Sequence, residues 1–199
     1  MHKRSAREVK EVACQQILER DASVYSVQWL VIPDPYARQI TAQLLLDRYL
    51  KLVRDWTFTL IRPRVAADGV QFRLLATSLA LLSFGPPEYP AGEEDGEVHL
   101  RINGGLLVQP RECNRGLFSL YAAREGEGAR VTVQLSDYCP LLLGSARPSL
   151  VRRLLYRMTQ AYLHKVVTVR YLADLYRELT GEKVSLRLIK VQVREGKET

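Results

Sequence analysis

The chain predicts an α+β fold: a mostly antiparallel, curved sheet of about six or seven strands packed on helices, including a long C-terminal one. Three observations lead there. Between residues 57 and 138, apolar and polar residues alternate with a period of two. On both sides of that run, apolar residues recur at helical spacing. The strands cluster in sequence instead of alternating with helices, which argues against a doubly wound parallel sheet.

In chain order, Ser5-Ala6-Arg7-Glu8 has the spacing of a helix capping box, and Val9, Val12, Ala13, Gln16 and Ile17 then form a helical stripe, which predicts a helix over residues 6–20. Val24–Ile32 reads as a strand with two largely apolar faces, and so as a central one. Pro33-Asp34-Pro35 ends it, with Asp34 suited to an N-cap and Pro35 to a first helical turn. In the following helix, to about Asp55, Ala42, Leu45, Leu46, Tyr49, Leu52, Val53 and Trp56 share one face, and Asp47 and Lys51 are spaced to pair outside. The Asp68-Gly69 turn signal predicts a hairpin of Thr57–Val65 and Val70–Phe84; the long second arm has room for a bulge or bend near Ala76–Ser78, and its Leu79-Ala80-Leu81-Leu82 segment is equally compatible with a helix. Gly85–Gly96 has the composition of an exposed loop. Glu97–Gln109 is the next strand, with Val98, Leu100 and Ile102 toward the core. Leu117–Ala123 and Arg130–Leu135 form a second hairpin.

From Ser149 to a Gly181 cap runs a long helical segment with an apolar stripe of Val151, Leu155, Met158, Tyr162, Val166, Val169, Leu172 and Tyr176. The β-branched run Val166–Val169 predicts a bend or break. A strand over Val184–Val193 and a frayed tail over 194–199 complete a single domain, with the N-terminal helix (1–22) and the tail peripheral. A curved sheet wrapped on a long C-terminal helix is similar in architecture to the helix-grip, lipid-transfer type of barrel. The strand after the helix departs from that pattern.

Composition narrows function by exclusion. At 47% hydrophobic and 26% charged residues the chain is that of a globular protein, not a disordered one. The longest apolar stretch, Leu74–Phe84, is too short and too interrupted to span a bilayer, and the N-terminus lacks the continuous apolar core of a secretion signal. Three widely spaced cysteines, Cys14, Cys113 and Cys139, suggest neither a disulfide framework nor a zinc knuckle. The expected location is cytoplasmic. No metal-ligand spacing, nucleophile elbow or phosphate loop is present, so no cofactor is expected and catalysis is the least favoured reading. Cys139 with His99 or His164 is imaginable as a nucleophile and base, but a buried small hydrophobe is the commoner role. Acidic Glu93-Glu94-Asp95 reads as solvation.

Two features carry a functional expectation. His99, Arg101 and Asn103 stand on one strand face, where they line either a polar pocket or the wet side of a half-buried sheet. The net charge of +7 belongs wholly to residues 147–199, which hold 12 basic and 5 acidic side chains. There Arg153, Arg157, Gln160 and His164 follow a helical ridge flanked by Arg152 and Lys165, with Tyr156, Tyr162, Tyr171 and Tyr176 interleaved. The expectation is a non-enzymatic binding protein holding a small apolar or amphipathic ligand between sheet and C-terminal helix, with His99, Arg101, Asn103 and Tyr162 as ligand contacts. The alternative is an adaptor binding a polyanion, nucleic acid or an anionic membrane surface, through Arg152, Arg153, Arg157, His164 and Lys165. An enzyme with a site gathered from distant residues, such as His99, Arg101 and Asp137, is a third.

Overall fold

A computed structural model describes residues 9–90, 96–110, 115–144, 149–195 and 197–198. Ten strands form one open sheet. Nine follow the order β10-β1-β2-β8-β7-β6-β5-β4-β3, and β9 pairs β1 beside β10. Two helical layers cover one face: α1 (Ala42–Trp56) and the C-terminal assembly of α2 (Leu150–Tyr156), a π turn (Arg157–Ala161) and α3 (Tyr162–Thr180). The α+β class and the long C-terminal helix are as the sequence predicts. The strand count is higher, for three local reasons given below.

The first reason is the N-terminus. Ser5–Glu8 lie outside the described residues, and the helix predicted beyond them is instead strand β1 (Val9–Leu18). Ten residues with Val9, Val12 and Ile17 fit either period, and the free edge of β2 (Val24–Pro33) supplies a complete hydrogen-bond ladder from Ala13↔Trp29 to Leu18↔Val24. Between them Asp21 accepts from the Ser23 amide (2.9 Å) and hydroxyl (2.7 Å) and from Arg115 (2.5 Å), which together hold its carboxyl at about 2. On the outer edge of β1, β9 (Ser185–Lys190) runs parallel to Val9–Cys14, and β10 (Lys197–Glu198) runs antiparallel to Ile17–Leu18. The sheet is therefore mixed, and the tail expected to fray contributes a strand. Buried Gln15 secures the link between β9 and β10: its Oε1 accepts from the amides of Val193 and Arg194, and its Nε2 donates to the Arg194 carbonyl.

The third added strand comes from the hairpin after α1. β3 (Ile61–Ala66) and β4 (Gly69–Leu74) pair as predicted, but the long second arm is split into β4 and β5 (Ala80–Phe84). Leu75 takes a left-handed φ of 53°, and the Thr77 hydroxyl donates to the Leu74 carbonyl (2.6 Å), so the expected bend is a full reversal. β6 (Glu97–Gly104), β7 (Leu117–Glu125) and β8 (Gly128–Tyr138) form the predicted meander. Their inward residues, among them Val98, Leu100, Phe118, Val131 and Val133, join the one large hydrophobic core.

Helix α1 buries the face its sequence marks out, but it starts later than expected. Thr41, not Asp34, is the N-cap, its hydroxyl accepting from the Leu44 amide (3.2 Å). Asp34 instead accepts from Arg124 (2.7 Å), the Asp34–Pro35 peptide is cis, and Tyr36–Gln39 form a 3-10 turn. Lys51 pairs with Asp55 rather than Asp47.

The C-terminal helix corrects the sequence reading most. It continues through Val166–Val169, where a break is expected, because Val167 and Thr168 are buried and tertiary packing overrides weak propensity. The irregularity lies earlier, in the π turn. From its last residue onward the inward residues are Ala161, Val167, Thr168, Tyr171, Leu172, Leu175 and Tyr176, whereas Val151, Leu155, Met158 and Tyr162 of the expected stripe are exposed. Gly181 ends α3 in the left-handed conformation (φ 74°), as expected.

Gly69 occupies φ +135°, and a Cβ there would collide with the Phe84 carbonyl on the neighbouring strand. Gly69→Ala is expected to destabilise the protein by about 2 kcal/mol or more, read from urea unfolding, since neither the backbone nor its neighbour can yield.

Candidate functional site

The sheet and its helical cover do not meet everywhere. Between them lies a cavity of about 150 Å³, taken as the space open to the centre of a water-sized sphere. That is well beyond the roughly 10–15 Å³ one water needs on the same measure. Its walls come from every layer. Helix α1 contributes Tyr49, Val53 and Trp56, and the β3–β5 meander contributes Ile61, Phe72, Leu82 and Phe84. Ile102, Phe118 and Leu135 come from β6, β7 and β8. Tyr156, Gln160, Leu163, His164 and Val167 project from the C-terminal helix. The aromatic rings pack on each other, Tyr49 lying 4.7 Å from Phe118 and Phe72 lying 5.2 Å from Phe84 between centroids.

This wall is mostly apolar, and besides Thr57 it carries a polar end. There the Tyr138 hydroxyl donates to the Leu107 carbonyl (2.8 Å), and Gln160 Nε2 donates to the Tyr138 oxygen (3.3 Å). Gln160 Oε1 and His164 Nε2 are sealed from solvent and have no hydrogen-bond partner. No Asp, Glu, Lys or Arg is among the described lining residues. Burial alone pushes the His164 imidazole down to about 4, so it is neutral at physiological pH, and burial raises Tyr138 and Tyr156 far above the usual phenol range.

The residues singled out from sequence fall in different places. His99, Arg101 and Asn103 do share one face of β6, but it is the face opposite buried Val98, Leu100 and Ile102, and none of the three lines the cavity. His99 bonds Ser119 through Nδ1 (2.7 Å) and lies 3.2 Å from Glu97 through Nε2, while Arg101 lies 3.8 Å from Glu88. This is the wet side of a half-buried sheet. Asp137 is exposed at a left-handed position (φ 52°) near the end of β8. The Cys139 thiol is buried and donates to the Asp137 carbonyl (3.8 Å). Cys113 and Glu93-Glu94-Asp95 lie outside the described residues.

The basic ridge is divided as well. Arg152 and Arg157 are exposed, and the side chain of Arg153 lies outside the described residues. Gln160 and His164 turn into the cavity, in line with buried Val167 and Tyr171 further along the helix. His164, neutral and enclosed, therefore does not extend an anion-binding row. Tyr162 and Lys165 border a separate apolar groove between α3 and β9, with Val169, Leu186 and Leu188. Thus Tyr162 is not a cavity contact either. The cavity's polar end, Tyr138, Gln160 and His164, was missed as a group. Its one legible signal was two polar residues four apart, Gln160 and His164, at helical spacing with apolar Val167 and Tyr171.

Among the described residues no group of three or more His, Cys, Asp or Glu is placed to hold a metal ion, and no helix is long and apolar enough to cross a membrane. No protein-family profile and no curated protein matches the chain. Among solved structures it is similar to CalU16 from Micromonospora echinospora. The solution NMR structure of that protein is 10% identical, covering 91% of this chain and 78% of that one with a TM-score of 0.40. Its crystal structure is 12% identical, with coverages of 87% and 85% and a TM-score of 0.39.

The enclosed imidazole has a consequence for stability. Above its unfolded value of about 6.5, His164 is neutral in both states and contributes no pH dependence. As pH falls below that, the unfolded chain gains a proton that the folded chain refuses until about 4, so stability declines across this window. From pH 7.5 to pH 5 the loss due to His164 is expected to be about 1–2 kcal/mol. Urea unfolding at both pH values should show a smaller loss in His164→Asn than in the parent chain.

Proposed function

We propose that the protein is a non-enzymatic binding protein that holds a small apolar or amphipathic molecule between its sheet and its C-terminal helix. The cavity carries this reading. A close-packed interior has few voids larger than a water molecule. Here a larger one is lined by aromatic and aliphatic side chains, with a few polar groups at one end, which is the make-up of ligand sites generally. Expected: the neutral fluorophore N-phenyl-1-naphthylamine binds saturably at one site per chain, and Val53→Phe, which fills the space, weakens binding at least about ten-fold while leaving stability within about 1 kcal/mol. No saturable binding, or a Val53→Phe penalty of the size expected for overpacking a filled core, overturns the reading.

A second reading has its own observation. Helix α2 buries only Tyr156 among its described side chains. Leu150, Val151, Leu154, Leu155 and, in the π turn, Met158 are 49–82% exposed. At helical spacing they form one apolar arc with Arg152 and Arg157 outside its two margins. An apolar arc bordered by cations suits the interface of an anionic membrane better than a nucleic acid, which is held by phosphate contacts and stacking. The protein is expected to co-sediment with phosphatidylserine-containing vesicles at low salt, less so with phosphatidylcholine alone, and Arg152→Glu with Arg157→Glu should remove the difference. Failure to co-sediment with either vesicle at low salt rejects it.

A further inference from the structure

Main-chain Leu107 offers a carbonyl oxygen, which has no proton to give. Tyr138, at 2.8 Å, must therefore be the donor in that bond. Its oxygen is left to accept, and the group that reaches it, at 3.3 Å, is the Gln160 amide nitrogen. This sets the direction of the whole chain of bonds and with it the orientation of the Gln160 amide: nitrogen committed to Tyr138, Oε1 at the other end. Oε1 accepts only, is sealed from solvent and has no partner in the protein. Four residues on, His164 lines the same cavity, and its Nε2 is also sealed and unpartnered. Buried polar atoms are nearly always satisfied, so two orphans at one end of one cavity mark where the polar part of an occupant belongs.

From this geometry we infer that the cavity takes a neutral amphipathic alcohol or phenol, whose hydroxyl donates to Gln160 Oε1 and meets His164 Nε2, with its apolar body among Phe72, Phe84 and Phe118. The inference rests on the ligand-binding reading of the cavity and adds the polarity of the ligand. A hydroxyl is both donor and acceptor, so it suits either tautomer of a neutral imidazole while still donating to the glutamine. A carboxylate would place a second acceptor against Oε1. An ammonium would meet no carboxylate. Either charge would enter a largely apolar space whose described lining holds no counter-charge.

The test displaces N-phenyl-1-naphthylamine with three molecules of one shape: 1-naphthol, 1-methoxynaphthalene and 1-naphthoate at neutral pH. Naphthol is expected to bind about ten-fold tighter than the ether and the carboxylate. Gln160→Met should bring naphthol to within about two-fold of the ether. The His164 ring nitrogens should shift in ¹⁵N spectra with naphthol and not with the ether, a measurement that needs no variant. Equal binding of naphthol and ether, the result expected if water alone satisfies the two atoms, overturns the inference, as does tighter binding of naphthoate. So does a preference that survives Gln160→Met. If the fluorophore binds and the preference is absent, only the donor assignment falls; if the fluorophore does not bind at all, the cavity reading falls and this inference with it.

Discussion

The Tyr171 hydroxyl donates to the main-chain carbonyl of Leu45 at 3.0 Å, and through that buried bond α3 is tied to α1 over the apolar face of the sheet. The tie is reinforced where the Tyr171 ring meets the edge of Tyr49, 5.4 Å away, and where Arg48 pairs with Glu178 nearer the surface. An open sheet with one apolar face is stable only if that face is covered, and these contacts set where the cover sits. They hold α3 at its middle and C-terminal part, where Leu172, Leu175 and Tyr176 are buried. Toward the N-terminal end of the assembly the inward side chains become Val167, His164, Gln160 and Tyr156, and there the interior opens into the cavity.

The cavity's chemistry follows from the same arrangement. Its aromatic floor is simply the core face of β4 to β7 with the facing residues of α1. Its polar end exists because Gln160, in the π turn, and His164, in α3, continue the inward row of Val167 and Tyr171, which sets Gln160 against Tyr138 at the end of β8. A π turn within a long α-helix forfeits regular packing, and such turns are frequent at functional sites. Here the turn carries Gln160 at the edge of an apolar space, and the helix before it, α2, has its apolar residues facing solvent.

The outer face of the sheet is organised by charge rather than by helices. Arg194 stacks 4.1 Å from the centre of the Tyr25 ring and Arg130 lies 5.3 Å from that of Trp29, so a small second cluster of Ile17, Tyr25 and Val27 is covered by guanidinium groups. The row of His99, Arg101 and Asn103 belongs to this outer side. Part of the basic character of the last 53 residues is spent in such contacts, which is why a count of charges alone overstates the size of any anion-binding surface.

What the sequence determined by itself is the set of elements whose pattern is strong and local. Val24–Pro33, the meander from Glu97 to Tyr138 and helix α1 alternate or recur over enough residues that only one period fits, and Gly69 and Gly181 mark conformations that other residues resist. Tertiary structure alone decided the rest. Val9–Leu18 became a strand because β2 and β9 offered it ladders on both edges. Residues 150–164 turned Tyr156, Gln160 and His164 inward, across a π turn that no propensity announces. The polar end of the cavity joined Leu107, Tyr138, Gln160 and His164 across more than fifty residues. Periodicity reports which residues share a face; which neighbour that face meets is set by long-range contact, and the candidate site consists almost entirely of such contacts.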